Sequence, residues 1–215
     1  MAYNLKTSFI TFFSLLIISS FALMRITMAG DPNILTDFIV PQNLGSTNIT
    51  GSFFTYTGLR FLFEETKPPT KFTASKVSLA EFPALNGQSV SYAVLEYPAG
   101  KTNPPHTHPR SAELLFVVGG CLEVGFVDTN NTLYTQSLQV GDIFVFPKGL
   151  VHFQYNADPK GLAFAVSAFG SANAGTVSLP NTLFATGIDD DVLAISFKTD
   201  VATIQKLKAG LAPKP

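Results

Sequence analysis

One cysteine, three histidines and no tryptophan occur in 215 residues. A lone thiol, Cys121, excludes any internal disulfide, so stability must come from packing, a bound ion or assembly. Charge is also scarce: only 13% of residues are Asp, Glu, Lys or Arg, and the formal net charge is −1. No basic stripe exists, which excludes a nucleic-acid-binding surface, and no block of like charges marks an interaction tail. Long apolar runs are missing as well. Phe9 to Met24 stops after 16 residues at Arg25, short of the ~20 needed to span a bilayer. Nucleophile, phosphate-loop and zinc-protease signatures (G-x-S-x-G, G-x-x-x-x-G-K-[ST], H-E-x-x-H) are all absent. Asp189-Asp190 reads as a solvated helix start, not a glycosidase pair.

What is present favours strands. Hydrophobic residues make up 46% of the chain, with 20 Phe, 16 Gly and 14 Pro, a mixture suited to short strands joined by turns. The length fits one domain with a sizeable core. Residues 1–29 have the form of a secretory signal: Lys6 at the start, the apolar run, and Thr27-Met28-Ala29 at the cut. The mature chain, 30–215, then has twelve basic residues against fifteen acidic ones. Secretion makes the sequons at Asn48 and Asn130 candidate glycosylation sites. Cys121, in an apolar run after Gly119-Gly120, is expected to be buried and inert.

Asp31 to Gly51 reads as an extended arm, and the aromatic stretch Phe53 to Phe63 is expected to pack on the main body. Strands are predicted at Lys76–Phe82, Val90–Tyr97, Glu113–Val118, Leu122–Val127, Leu133–Leu138, Ile143–Phe146, His152–Asn156 and Leu162–Phe169. This spacing points to an all-β sandwich or barrel. Near the end, Asp189-Asp190-Asp191 starts a helix, and Val201, Ile204, Leu207 and Leu211 recur at helical spacing with Gly210 as a stop. That segment either folds onto its own barrel or forms a subunit contact.

All three histidines fall between Gly100 and Asn156. In a strand, residues i and i+2 share a face, so His106-Thr107-His108 aims two imidazoles into one interior. Pro104-Pro105 lacks ladder donors, so that strand begins irregularly. Glu113 is an odd number of residues from His108, and Pro109 to Ala112 must bend the chain to turn it inward. Pro147-Lys148-Gly149 suits a type I turn, with Pro at i+1 and Gly at i+3, after which His152 enters from a second hairpin. Three imidazoles and one carboxylate make a candidate metal site with open positions. Mixed N/O ligation without thiolate suits Mn or Fe better than a closed structural zinc.

At these residues the chain resembles the germin-like proteins, a plant branch of the cupin superfamily. One motif is Gly100, His106-Thr107-His108, Glu113 and Gly120. The other is Gly141, Pro147, Gly149, His152 and Asn156. The resemblance runs from Asp31-Pro32 through Pro180, Leu183 and Phe184. It implies a cupin jelly-roll β-barrel with short C-terminal helices and manganese(II) on His106, His108, Glu113 and His152. Further implications are secretion to the cell wall or apoplast and a trimer of dimers in which the C-terminal helices take part. Where most germin-like proteins place one half of an N-terminal disulfide, Ile39 stands here, so the arm is expected to be held by apolar contact. Oxalate-oxidising germins set two asparagines beside the metal. One matches Asn103, a candidate substrate-binding residue, whereas the other position holds Ala93. The expected function is a manganese-dependent superoxide dismutase active in defence. The alternatives are an oxalate oxidase, disfavoured by Ala93, and a non-enzymatic, metal-stabilised wall or binding protein.

Overall fold

The computed structural model of the protein describes residues 31–44, 49–64 and 67–211. The secretory segment and the Asn48 sequon lie outside these residues. Among the described residues, ten strands form two five-stranded antiparallel sheets, ordered β1-β2-β9-β4-β7 and β10-β3-β8-β5-β6. They are β1 Thr73–Val77, β2 Ser91–Tyr97, β3 Thr102–Thr107, β4 Glu113–Gly119, β5 Cys121–Val127, β6 Leu133–Gln139, β7 Ile143–Phe146, β8 Val151–Tyr155, β9 Ala163–Phe169 and β10 Val177–Ser178. The two sheets face one another as the expected jelly-roll barrel.

The period-2 pattern decides which side chains fill it. Along β4, Glu113, Leu115 and Val117 are buried while Leu114, Phe116 and Val118 are exposed. The inward set meets Leu95, Leu122, Val124 and Phe146 in one apolar core. Burying a side chain such as Leu115 completely stabilises the fold by about 1.5–3 kcal/mol.

The same alternation corrects the expectation for Cys121. It opens β5 in phase with Glu123, so Leu122 and Val124 take the inward positions and the thiol is exposed. The preceding turn sets this phase. Gly120 has φ of 70°, and a Cβ there would lie 2.8 Å from the Cα of Ala163, so both conformation and space require glycine.

Other boundaries also shift. The strand expected at Lys76–Phe82 stops at Val77, because the Glu81 carboxylate accepts from Ser78 N (2.9 Å) and Ser78 Oγ (2.6 Å) and closes a turn there. Pro147 is the first residue of its turn, not the second. Leu150 N donates to Pro147 O (3.3 Å), and Gly149 sits at the third position with φ of 77°, a conformation that a type I turn does not contain. The aromatic stretch packs only in part. Phe53 and Phe54 meet edge to face and Tyr56 reaches Phe82, but Phe63 is 90% exposed.

The N-terminal arm is held as the missing disulfide requires, by apolar contact, and also by a carboxylate. Ile34 and Ile39 pack against the turn at Gly87. Asp31 accepts from Ser171 Oγ and Ala172 N, each at 2.6 Å.

Among the described residues, three helices follow the barrel: α1 Leu179–Phe184, α2 Asp190–Phe197 and α3 Val201–Leu211. Asp189 caps α2 by accepting from the backbone N–H of Asp191 and Val192, which places a negative charge at the positive end of the helix dipole. Gly210 lies inside α3 instead of ending it. Ile204 packs against Leu193 and Ala194 in a small second core, and Lys208 Nζ pairs with Asp190 Oδ1 at 2.5 Å. Among the described residues no helix is long and apolar enough to cross a membrane.

Candidate metal centre

Both sheets contribute to one buried point. His106 on β3 stands directly opposite His152 on β8. Glu113, the first residue of β4, comes from the facing sheet, where it lies opposite Phe146 and Phe169. His108 follows β3 by one residue, and its carbonyl accepts from Gly149 N at 3.1 Å. That bond ties the β7–β8 turn to the H-x-H segment, so the shifted turn register has a use. The irregular start of β3 appears as a register shift between Asn103 and His106. The bend over Pro109–Ala112 brings Glu113 inward. All four residues are buried, and one ligand atom from each lies within 4.8 Å of the others.

Backbone carbonyls orient the rings. His106 Nδ1 donates to Pro104 O (2.8 Å), His152 Nδ1 to Leu150 O (2.8 Å) and His108 Nδ1 to Gly175 O. Since a carbonyl can only accept, Nδ1 carries the proton in each ring. The three Nε2 atoms are then bare lone pairs facing inward. Glu113 Oε2 lies 3.1 Å from Nε2 of His108, 3.0 Å from that of His152 and 4.0 Å from that of His106. Four electron-pair donors this close repel one another unless a cation stands between them. Protons are a poor substitute at His106, where burial first, and then its neighbour His152, depress the pKa to about 4. Burial raises the Glu113 pKa, and the hydrogen bonds from His108 and His152 that hold the carboxyl well below the usual range need protons on Nε2; with those protons on Nδ1, a bound cation supplies the positive charge instead. The donor set therefore fits a divalent ion held by His106, His108, Glu113 and His152.

A supporting layer surrounds these four. Ser167 Oγ donates to Glu113 Oε1 at 2.6 Å, and Gln154 Nε2 reaches the same oxygen at 3.3 Å. Asn103 Nδ2 donates to Gln154 Oε1 (2.7 Å) and lies 3.4 Å from His106 Nε2. The Phe146 ring stacks on His152 with centroids 4.5 Å apart. Arg110 positions the segment whose carbonyl receives His108: its Nε and Nη2 donate to Asn173 O (2.6 Å) and Asn173 Oδ1 (2.9 Å).

Sequence reasoning missed Gln154, Ser167 and Gly175. The first two left a signal, because each is a polar residue at an inward-facing strand position. Gly175 acts through its backbone and left none. Asn156, the last residue of the second motif, is a buckle and not a ligand: its amide donates to Tyr97 O and Gly161 O, both at 2.8 Å. Asn130 is exposed in the β5–β6 turn. Asn103 and Ala93 both line a cavity of about 400 Å³ that opens onto His106, His108 and Glu113.

A family model described as Cupin matches residues 65–205. Germin-like protein 9-3 of Oryza sativa subsp. japonica is 62% identical over 194 residues, covering 88% of this chain and 90% of that protein. Nectarin-1 of Nicotiana plumbaginifolia is 38% identical over 225 residues, covering 99% and 97%. Among solved structures, a recombinant oxalate oxidase in complex with glycolate superposes with a TM-score of 0.76 at 30% identity, covering 85% of this chain and 98% of that one.

Proposed function

The chain belongs to the germin-like proteins of the cupin family, and from that premise we propose that it is a secreted manganese(II) protein that dismutes superoxide to dioxygen and hydrogen peroxide. The observation that carries this reading is the convergence of three bare imidazole nitrogens and one carboxylate oxygen on a single buried point. Such a set leaves coordination positions open, and its lack of thiolate favours Mn or Fe over a closed structural zinc. When bound, a redox-capable ion supplies the one-electron exchange by which two superoxide ions and two protons become dioxygen and peroxide. The chain's own residues fix the ligand tautomers through Pro104, Gly175 and Leu150. Ser167 and Gln154 orient the Glu113 carboxylate. Asn103 places a carboxamide beside His106, where it can orient a small anion.

Oxalate oxidation is less well supported. Ala93, buried in the cavity wall, supplies a methyl group where a second carboxamide would orient a dicarboxylate. The proposed setting is the apoplast or cell wall, with a role in defence. It draws on the N-terminal apolar segment and on the exposed sequon at Asn130. A homo-oligomer, with a trimer of dimers as the proposed form, is favoured by uncovered apolar surface. Leu114, Phe116, Val118, Ile143 and Val145 are exposed on the outer face of one sheet, and Ile195 and Phe197 on α2; contiguous apolar patches of this kind mark association sites.

The test is elemental analysis of the native protein together with a dismutase assay on wild type and His152→Ala. About one manganese per chain with activity lost in the variant is the expected result. Dismutation that survives His152→Ala or metal stripping would remove the site from the mechanism.

A further inference from the structure

The cavity above His106, His108 and Glu113 is larger and more apolar than a two-atom or two-carbon anion needs. At about 400 Å³ it falls within the ~300–1,000 Å³ of pockets that enclose whole organic ligands. Its wall is formed by Phe72, Ala74, Ala93, Leu95 and Phe169. Ala93 and Leu95 are buried, inward-facing residues of β2, and the other three pack against the same core. Polar side chains also line it, among them Ser91 and Tyr92. At the inner end stand Asn103 and the ligand residues. At the rim Lys76, the cross-strand partner of Ala93, reaches Thr176 Oγ1 at 3.4 Å, and the exposed Glu81 carboxylate also lines the cavity. One positive and one negative group at the rim leave it without the excess positive charge that would concentrate a dianion. A methyl group at Ala93 leaves Asn103 as the carboxamide next to His106.

We propose that this cavity binds an apolar monocarboxylate, with its carboxylate at the Asn103 and histidine end and its hydrocarbon body along Phe72, Ala74 and Leu95. The proposal rests on the reading of His106, His108, Glu113 and His152 as a metal site, since the ion would complete the recognition of the carboxylate. It goes beyond superoxide chemistry, because superoxide fills almost none of this volume. Alternation along β2 places the small side chain of Ala93 and the branched one of Leu95 on the same inward face. The pocket is therefore wide beside the ligands and apolar along Leu95 and its cross-strand partner Ala74, which matches a small charged head on a bulky body.

The experiment uses purified full-length protein whose metal content has been measured. Binding of 3-phenylpropanoate, 4-methylpentanoate and oxalate is followed by titration calorimetry and by paramagnetic relaxation of the ligand protons. Either monocarboxylate is expected to bind at least tenfold more tightly than oxalate. Ala74→Leu, which narrows the outer wall away from the ligands, is expected to weaken both monocarboxylates at least tenfold with metal content unchanged. Ala93→Asn is expected to shift preference toward oxalate by about tenfold. A full metal complement with oxalate bound as tightly as the monocarboxylates, or with none of the three bound, overturns the ligand class and leaves the metal reading intact. Metal-free protein that still binds 3-phenylpropanoate, and loses it in Ala74→Leu, upholds the pocket and sinks the metal reading.

Discussion

In the barrel, Leu115, Val117 and Phe146 are wholly shielded by their own chain. In the helical extension Ile204 is equally shielded, yet Ile195 is left 79% exposed and Val192 55%. Both regions have an apolar centre, but only the barrel closes around it. Two facing sheets offer inward positions from every strand, whereas three short helices cover one another on a single side. The barrel thus encloses its ligand residues, whereas the extension leaves one apolar face uncovered.

Removing a ligand tests the rigid region most severely. His152→Ala is expected to lower metal affinity by more than ~100-fold, beyond the 10–100-fold typical of supporting residues, as read by metal content after dialysis. A retained ion would mean that three residues suffice.

Next come paired truncations, one in each core. Leu115→Ala and Ile204→Ala each remove a fully buried side chain and should each cost about 2–5 kcal/mol. Leu115→Ala is expected to lower the main thermal transition and release metal. Ile204→Ala should loosen the helices, as seen by hydrogen exchange over 190–211, while metal content stays constant. Coincident loss of both in Ile204→Ala would show that the two regions fold as one unit.

Mild acid, between pH 6.5 and 4, probes the barrel through His106. The folded protein holds the His106 pKa near 4 against an ordinary value of 6.5, so between these values the unfolded chain carries a proton that the folded chain refuses. Stability of metal-free protein should therefore fall as pH drops from 6.5 to 4, by up to about 3 kcal/mol. Glu113, depressed from its ordinary 4.5, contributes stability above that value that is lost as pH falls further. Urea melts across this range check the slope, and a flat profile would refute the assignment. The smallest effect is expected for Arg110→Ala, which releases the Asn173–Gly175 segment behind His108. We expect about 10-fold weaker metal binding with the main melting transition little changed, measured by competition with a chelator.

Much of the site was legible because its signals are local. Strand alternation places His106 and His108 on one face, and the odd interval to Glu113 demands the bend that is found. Most predicted strands came through with ends shifted by about one residue, but the first moved to Thr73–Val77 and β10 at Val177–Ser178 was not foreseen. The Ser78–Glu81 turn, the displaced Pro147 turn and the continuation of α3 through Gly210 depend on hydrogen bonds and packing that a window of residues does not contain. Cys121 was misplaced because an apolar run does not reveal its phase; Gly120 and the facing Ala163 set it.

By itself the amino-acid order determined the chemistry available: one thiol, three imidazoles grouped within fifty residues, and the period-2 pattern that builds a barrel. Only the tertiary structure decided how that chemistry is held. The carbonyls of Pro104, Leu150 and Gly175 choose each tautomer, and Ser167 and Gln154 aim the carboxylate. Backbone groups carry no residue identity, and partners such as Ser167 and Glu113 are 54 residues apart, so these contacts exist only once the two sheets have closed on one another.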